Sequence, residues 1–166
     1  QSEEPLPLST VLVAAGAGCA GQAFDLINAA LDSGRDLTPD NHKGFGGFVV
    51  KMPQHTVYHS GDSAYFDGFT EIGKRYDIHT ALLPIGAYDC PSGREVHMNP
   101  EEALRAFFDL RAHRMVPMHH ATFPLSNEHR HEPLQRLLEA VAALGLEHRV
   151  IAPSEGEQVI ISSHEA

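Results

Sequence analysis

Hydrophobic and polar residues alternate along the chain in a pattern that predicts short strands between longer helices. Short apolar runs that end at Gly, Pro, Asp or Ser are typical of buried strands. Pro53 and Gln54 separate two of these runs and predict a tight connection between neighbouring strands. The predicted strands are residues 9–18, 47–52, 55–61, 80–86, 114–120, 148–153 and 157–162.

Apolar residues at helical spacing predict helices between those strands. In one of them Asn99 is a candidate N-cap, Pro100 takes the first helical position, and Glu102 stands where a capping box places its acid. In the last one Gly145 follows the apolar stripe and predicts the end of the helix. The predicted helices are residues 21–34, 67–76, 99–113 and 131–145, and the predicted loops are 34–44 and 87–97.

This alternation predicts an α/β architecture in which helices cover a sheet. In such folds ligands collect in the loops that follow the strands. Here those loops carry several side chains that can bind metal ions or take part in catalysis, and their occurrence in the loops that follow strands favours a functional site. They are Asp62, Ser63, Tyr88, Asp89, His97, His119 and His120.

Length, charge and cysteine content limit the classes of function. A chain of 166 residues suffices for one domain with a substantial core, and we expect residues 1–166 to form a single domain. The net charge of −10 disfavours nucleic acid and anionic membrane surfaces as partners. No apolar run approaches the roughly 20 residues that a transmembrane helix needs. Cys19 and Cys90 are too few for a disulfide framework, which favours a reducing compartment and hence a cytoplasmic location.

Histidine is the unusual component, with 12 residues, as many as Lys and Arg together. Asp62 and His119, each at a strand end, could coordinate one divalent ion such as Zn²⁺. The plainer alternative is that Asp62 caps a turn while His119 or His120 satisfies buried backbone groups. A further alternative is a serine hydrolase, because Gly-Asp-Ser after a strand resembles the nucleophile block of GDSL-type esterases, with Ser63 as the nucleophile.

Longer motifs resemble one family. The strings GDS (61–63), PIGAY (84–88), HMNPEEA (97–103) and MHHATF (118–123) followed by NEH (127–129) occur in this order. Together they resemble the C-terminal half of the metallo-β-lactamase superfamily, and within it the N-acyl-phosphatidylethanolamine phospholipase D group and its bacterial UlaG-like relatives. The resemblance spans residues 35–161, whereas residues 1–34 do not resemble the family. It implies one half of an αββα sandwich, a mixed β-sheet with helices packed on it.

The resemblance implies roles for individual residues. In the family the strand-end Asp bridges two metal ions, which maps to Asp62, and the His of the MHHATF segment binds the second ion, which maps to His119. His120 follows it, and we count His120 with Asp62 and His119 as a candidate metal ligand. His97 maps to a His near the substrate, so the candidate catalytic residues are Asp62, His97 and His119.

Three further positions are candidates for substrate contact. Arg35 matches a loop that lines the family's site, and Tyr88 and Asp89 lie in the loop after a predicted strand. An ordinary polar turn is the alternative for each of them.

The chain departs from the family at the first metal site. It contains no His-x-His-x-Asp-His string, and Leu31 stands where a further His is usual. Of the usual ligands, Asp62 and His119 carry over, which favours one ion, Zn²⁺ or else Mn²⁺ or Fe²⁺, over two. The candidates for a third ligand are His97, His120 and His59.

The resemblance therefore predicts a metal-dependent hydrolase of a small-molecule ester, lactone or phosphodiester. One half of the sandwich would expose an apolar sheet face, which soluble monomers avoid, so we expect a homodimer. The alternative to a homodimer is that the chain is a fragment of a longer chain. The alternative to a hydrolase is a non-catalytic dimeric remnant that binds a small molecule or a protein partner.

Overall fold

A computed structural model of the chain describes residues 25–29, 47–90 and 93–160. Within these residues, no helix combines the length and the apolar character that a membrane span requires. The elements are β1 (Asp25–Ala29), β2 (Gly47–Met52), β3 (His55–His59), α1 (Gly68–Arg75), β4 (Thr80–Pro84), α2 (Gly93–Val96), α3 (Pro100–Asp109), β5 (Arg114–Met118) and α4 (Glu132–Leu144).

The strands form one mixed sheet in the order β1-β2-β3-β4-β5. The pairs β1–β2 and β2–β3 are antiparallel, whereas β3–β4 and β4–β5 are parallel. Helix α1 connects β3 to β4, and α2 and α3 connect β4 to β5, as parallel neighbours require. The predicted α/β architecture is confirmed.

One face of the sheet forms the core. Val49, Tyr58, Ala81 and Met115 stand opposite one another in register on four adjacent strands, and each is at most 1% exposed. Burying an apolar side chain of this kind stabilises the fold by about 1.5–3 kcal/mol. The helices cover this face with Phe69 and Ile72 of α1, Leu104 and Phe107 of α3, and Leu137 and Val141 of α4.

The opposite face of the sheet carries a second row of paired residues. Phe48, His59, Leu82 and Val116 are opposite one another on β2 to β5. Phe48 is 42% exposed, and the other three are half-buried. The described residues therefore cover this open face only in part.

Two helix ends follow the local sequence as predicted. The Asn99 side chain accepts a hydrogen bond from the Glu102 N–H, and the Glu102 side chain accepts one from the Asn99 N–H, which completes the capping box. Gly145 ends α4 with a left-handed φ of 66°, a conformation that glycine adopts without steric cost.

Four predicted elements differ from the structure within the described residues. The helix predicted over 21–34 is replaced in its centre by β1, whose residues pair in register with β2, so long-range pairing prevails over local helical spacing. The loop predicted over 87–97 contains the short helix α2. Of the predicted closing strands, Val150 forms only an isolated bridge to Met115, and residues 157–160 have no regular structure. Pro153 follows that bridge without an N–H for a ladder, which explains the early end. The predicted strand 9–18 and loop 34–44 lie outside the described residues.

Three histidines stand at the beginnings of the parallel strands. His55 opens β3, and His79 and His113 immediately precede β4 and β5. The ring centroids of His55 and His79 are 4.9 Å apart, and those of His79 and His113 are 5.3 Å apart. His55 Nε2 is 2.9 Å from the Thr80 hydroxyl, and His113 Nε2 is 3.5 Å from an Asp77 carboxylate oxygen.

The contacts of His55 with His79 and of His79 with His113 predict that the folded protein is less stable in mild acid. Burial lowers the pKa of His55, and the positive charges of His79, Arg114 and His113 lower it further. The unfolded chain therefore binds more protons than the folded chain once the pH falls through about 6.5, and the free energy of unfolding decreases. We expect a lower unfolding free energy in urea at about pH 5.5 than at about pH 7.5.

The matched comparison is His55→Gln against His148→Gln. His148 is exposed, and its substitution should leave the pH dependence unchanged. His55→Gln should reduce the pH dependence of the unfolding free energy, because it removes the imidazole whose pKa the fold lowers. If the pH dependence is unaltered in His55→Gln, the loss of stability in mild acid does not arise from His55.

Candidate metal centre

The carboxyl ends of the three parallel strands meet at one edge of the sheet. Asp62 follows β3, Gly86 follows β4, and His119 directly follows β5. Because parallel strands end side by side, side chains distant in sequence converge here. His97 reaches the same place from the segment between α2 and α3, and not from a strand end as predicted.

Asp62, His97 and His119 each offer one ligand atom, and these atoms all lie within 4.8 Å of one another. The His97 and His119 rings are stacked, with centroids 5.2 Å apart and an interplanar angle of 18°. Asp62 is exposed, whereas the two histidines are half-buried. The cluster is therefore open to solvent on its carboxylate side.

Backbone geometry after β3 places Asp62 at the tip of a tight turn. Gly61 has a left-handed φ of 70°, and its N–H donates to His59 Nδ1 over 3.0 Å. The N–H of buried Ser60 donates to the Leu82 carbonyl over 3.3 Å, which ties the turn to β4. Gly61 thus allows the tight turn, and Asp62 at its tip exposes a carboxylate.

Gly86 allows the end of β5 to approach the end of β4. A Cβ at residue 86 would lie 2.5 Å from the His119 carbonyl oxygen, well inside contact distance. His119 and Ala121 have left-handed φ values of 56° and 57°, a conformation that costs a non-glycine residue about 1–2 kcal/mol. Strained backbone of this kind is concentrated at functional sites.

His97 is fixed by the residues that follow it. Met98 is fully buried, and Asn99 is held by the capping box of α3. The backbone of His97 is consequently anchored at a helix start, which limits the positions that its imidazole can take.

The three side chains fit a divalent cation. One carboxylate and two imidazoles are a donor set used for Zn²⁺ and for Fe²⁺. Within the described residues, Nδ1 of His119 is buried and makes no hydrogen bond. A buried polar nitrogen without a partner is costly, and a ligand would satisfy it.

The group of three donors consists of Asp62, His97 and His119, and a ligand role for His120 stays a prediction. Burial lowers the pKa of His120, and the neighbouring His119 lowers it further. His59, the other open candidate, uses Nδ1 to accept the Gly61 N–H. Neither residue belongs to the three-donor cluster.

Of the three predicted substrate contacts, Tyr88 has side-chain partners within the fold. Tyr88 is 8% exposed, and its hydroxyl donates to Glu132 over 2.8 Å and accepts from Arg136 over 3.0 Å. Burial, together with the hydrogen bond to Glu132, raises the pKa of Tyr88 to about 12. Tyr88 therefore does not lie in a solvated turn. Its hydrogen bonds link the loop after β4 to α4. Asp89 is exposed, and Arg35 lies outside the described residues.

The Ser63 hydroxyl does not have the environment of a nucleophile. The residue is 6% exposed, and its Oγ is buried without a hydrogen bond to any described residue. A serine nucleophile needs an adjacent base and access to substrate. The structure therefore argues against the serine-hydrolase alternative.

Glu128 is a structural residue of the site that sequence reasoning missed. Its carboxylate accepts the N–H of Ala87 over 2.6 Å and that of Asp89 over 3.1 Å. Burial alone would raise the pKa of Glu128, but the Ser126 hydroxyl and these backbone donors lower it. The residue thereby fastens the loop after β5 to the loop after β4. Its place in the NEH string was the available signal.

Comparison with known proteins identifies the family. The model of the beta-lactamase superfamily domain matches residues 7–120. The chain belongs to the beta-lactamase superfamily, and its sheet with the packed helices is half of a metallo-β-lactamase fold, as the motifs predicted.

The similar proteins are longer than this chain. A UPF0173 metal-dependent hydrolase of Pyrobaculum aerophilum is 51% identical over 79 residues, which is 48% of this chain and 32% of the relative. A protein of Mycobacterium tuberculosis is 41% identical over 132 residues, 76% of this chain and 34% of its own length. The metallo hydrolase Igni18 of Ignicoccus hospitalis is 29% identical, with a TM-score of 0.54 over 87% of this chain and 59% of Igni18. The chain thus spans about a third of the curated relatives.

The close approach at Gly86 gives a direct test of the site's architecture. We expect Gly86→Ala to lower the free energy of unfolding in urea by about 1–3 kcal/mol, because the new methyl group displaces the His119 backbone. The same variant should shift the imidazole NMR resonances of His119 and His97. The control Gly156→Ala has no atom within 4 Å of the new Cβ and should leave those resonances in place. A Gly86→Ala protein with unchanged stability and resonances would refute the packing argument.

Proposed function

We propose that the chain is a metal-dependent hydrolase domain whose divalent cation is held by Asp62, His97 and His119. The observation that carries this proposal is the convergence of three donor atoms within 4.8 Å from three separate segments. The names of the Pyrobaculum relative and of Igni18, both metal-dependent hydrolases, support it. The proposed substrates are small-molecule esters, lactones or phosphodiesters.

The three residues of the proposed centre have different roles in binding the cation. Asp62 neutralises part of the cation's charge from the solvent side, and His97 and His119 hold it from the half-buried side. When bound, such a cation polarises a carbonyl or phosphoryl oxygen and lowers the pKa of water. Three protein donors leave coordination positions open for substrate and water, which is typical of catalytic sites.

The cation we propose is Zn²⁺, with Fe²⁺ or Mn²⁺ as alternatives. Zn²⁺ accepts mixed imidazole and carboxylate ligands in tetrahedral geometry. Two imidazoles with one carboxylate are also the ligand set of non-haem Fe²⁺ enzymes. We propose one ion, because the described residues contain one group of three donors close enough to share it.

Assignment to the N-acyl-phosphatidylethanolamine phospholipase D and UlaG-like branch remains part of the proposal, supported by the motifs around Asp62, His97 and His119. A cytoplasmic location is likewise proposed from the low cysteine content.

A second candidate function is a non-catalytic, dimeric remnant that binds a small molecule or a protein partner. The partly covered open face of the sheet favours it, since such a surface suits association more than catalysis. The two candidates differ in whether a bound cation supports turnover.

Metal binding by untagged protein tests the leading proposal. We expect calorimetric titration with Zn²⁺ to give about one equivalent per chain, with affinity reduced at least about tenfold in Asp62→Asn and in His119→Gln. His148→Gln, at an exposed histidine, is the matched control and should bind like the parent. Gly86→Ala should also bind more weakly, because it displaces His119 without removing a donor.

The outcomes separate the candidates. Binding of less than about a tenth of an equivalent of Zn²⁺, Mn²⁺ or Fe²⁺ rejects the metal centre. Metal-dependent turnover of generic esters, lactones or phosphodiesters that a chelator abolishes, and that Asp62→Asn lacks, supports the hydrolase. Tight binding without turnover supports the remnant.

We also propose that a second copy of the chain covers the open face. Phe48, Val50, Val57, Leu82 and Val116 give this face an apolar strip without acidic residues, with His59 within it and Arg114 at its edge, on a protein of net charge −10. Two acidic chains repel least where such strips meet, and a two-fold interface needs one self-complementary patch.

Solution mass tests the dimer. Sedimentation equilibrium should give about twice the 18.1 kDa of the chain, and Phe48→Glu should return the mass to that of a monomer. Phe108→Glu is the matched control, since Phe108 is 47% exposed but lies on α3, on the other side of the sheet. A parent protein that is monomeric at micromolar concentration overturns the dimer.

A further inference from the structure

A cavity of about 550 Å³ lies beside the candidate metal centre. Its walls are the loop after β4, the loop after β5 and the beginning of α4, and His119 and His120 form part of its lining. The volume falls within the range of about 300–1,000 Å³ that is typical of small-molecule sites. A molecule in this cavity would therefore lie against one of the proposed metal ligands.

Large apolar side chains line the cavity and remain unburied. Phe123 is 73% exposed and Leu125 is 59% exposed. Ala121, Pro124 and Pro133 extend the same apolar wall. Apolar surface collected in a concave site is typical of places where the apolar part of a ligand docks.

Glu128 and Arg130 both line the cavity, but they differ in their partners. The Glu128 carboxylate accepts hydrogen bonds from the N–H groups of Ala87 and Asp89, so its oxygens are directed toward the backbone. Arg130 Nε donates to the Ala121 carbonyl over 2.6 Å, and within the described residues no carboxylate pairs with its guanidinium. An unneutralised Arg with further N–H donors can bind a carboxylate, sulfonate or phosphate.

We infer that this cavity is the substrate-recognition site, and that its substrates are amphiphilic anions. Phe123 and Leu125 receive an apolar chain or ring, Arg130 receives an anionic group, and the bond to be cleaved lies toward His119. This inference rests on the proposed hydrolase function and adds the class of substrate. It makes Phe123, Leu125 and Arg130 specificity-determining residues.

Probe binding tests the inference without turnover. Octanoate should displace anilinonaphthalene sulfonate from the parent protein, whereas acetate and octyltrimethylammonium should displace it much less. We expect Phe123→Ser and Leu125→Ser each to weaken octanoate binding at least about fivefold. Arg130→Gln should weaken it about tenfold and remove the preference for octanoate over octyltrimethylammonium.

Matched controls lie away from the cavity. Leu144 is 58% exposed at the end of α4, and Arg111 is exposed after α3, so Leu144→Ser and Arg111→Gln should bind octanoate like the parent. Equal losses in Leu144→Ser and Leu125→Ser, or equal displacement by octanoate and octyltrimethylammonium, overturn the inference.

Measurements with and without Zn²⁺ separate this inference from the proposed function. Octanoate binding that depends on Phe123 and Arg130 while Zn²⁺ fails to bind would support the cavity and reject the metal-dependent function. Zn²⁺ binding at Asp62 and His119 without octanoate binding would retain the metal centre and reject the assigned substrate class.

Discussion

The parallel pairing of β3, β4 and β5 is the constraint on which the candidate centre depends. Register pairs such as Leu82 with Val116 align the strands so that their carboxyl ends share one edge. Gly86 then lets the β5 end approach closely, and the Ile85 N–H donates to the Met118 carbonyl over 3.0 Å. Those contacts stabilise the left-handed backbone of His119, which would otherwise be unfavourable.

The two ends of the parallel strands show why histidine content alone does not define a metal site. At the amino ends, His79 stacks on His113 and lies at 41° to His55, but the three histidines form no three-donor cluster among the described residues. At the carboxyl ends, ligand atoms of Asp62, His97 and His119 all lie within 4.8 Å of one another, whereas at the amino ends Asp77 contacts His113 over 3.5 Å without such a group of three. Histidines with a nearby acid are therefore not sufficient, and the mutual closeness of three donor atoms is what makes the carboxyl edge a candidate cation site.

The sequence predicted well those features that depend on neighbouring residues. The capping box at Asn99 and the end of α4 at Gly145 are encoded within a few positions, and the strand ends that carry Asp62 and His119 follow from short apolar runs. Features that depend on distant partners were missed. Pairing with β2 makes a strand where helical spacing predicted a helix, and Glu128 acts through backbone N–H groups about 40 residues earlier in the chain. Every residue except proline has a backbone N–H, so the residue types at positions 87 and 89 do not indicate that they bind Glu128.

Exposure differs across the centre, and this difference constrains how a substrate would lie. The Asp62 side is open to solvent, whereas His119 borders the apolar cavity. The walls of that cavity are held together by Glu128, through hydrogen bonds that involve none of the three proposed ligands. These hydrogen bonds hold the two loops together without involving a cation. A substrate bound as we infer would contact this wall with its apolar part and would direct its reacting bond toward His119. The cavity wall and the candidate centre thus depend on different contacts, because Glu128 holds the two loops together whereas the close approach at Gly86 positions His119.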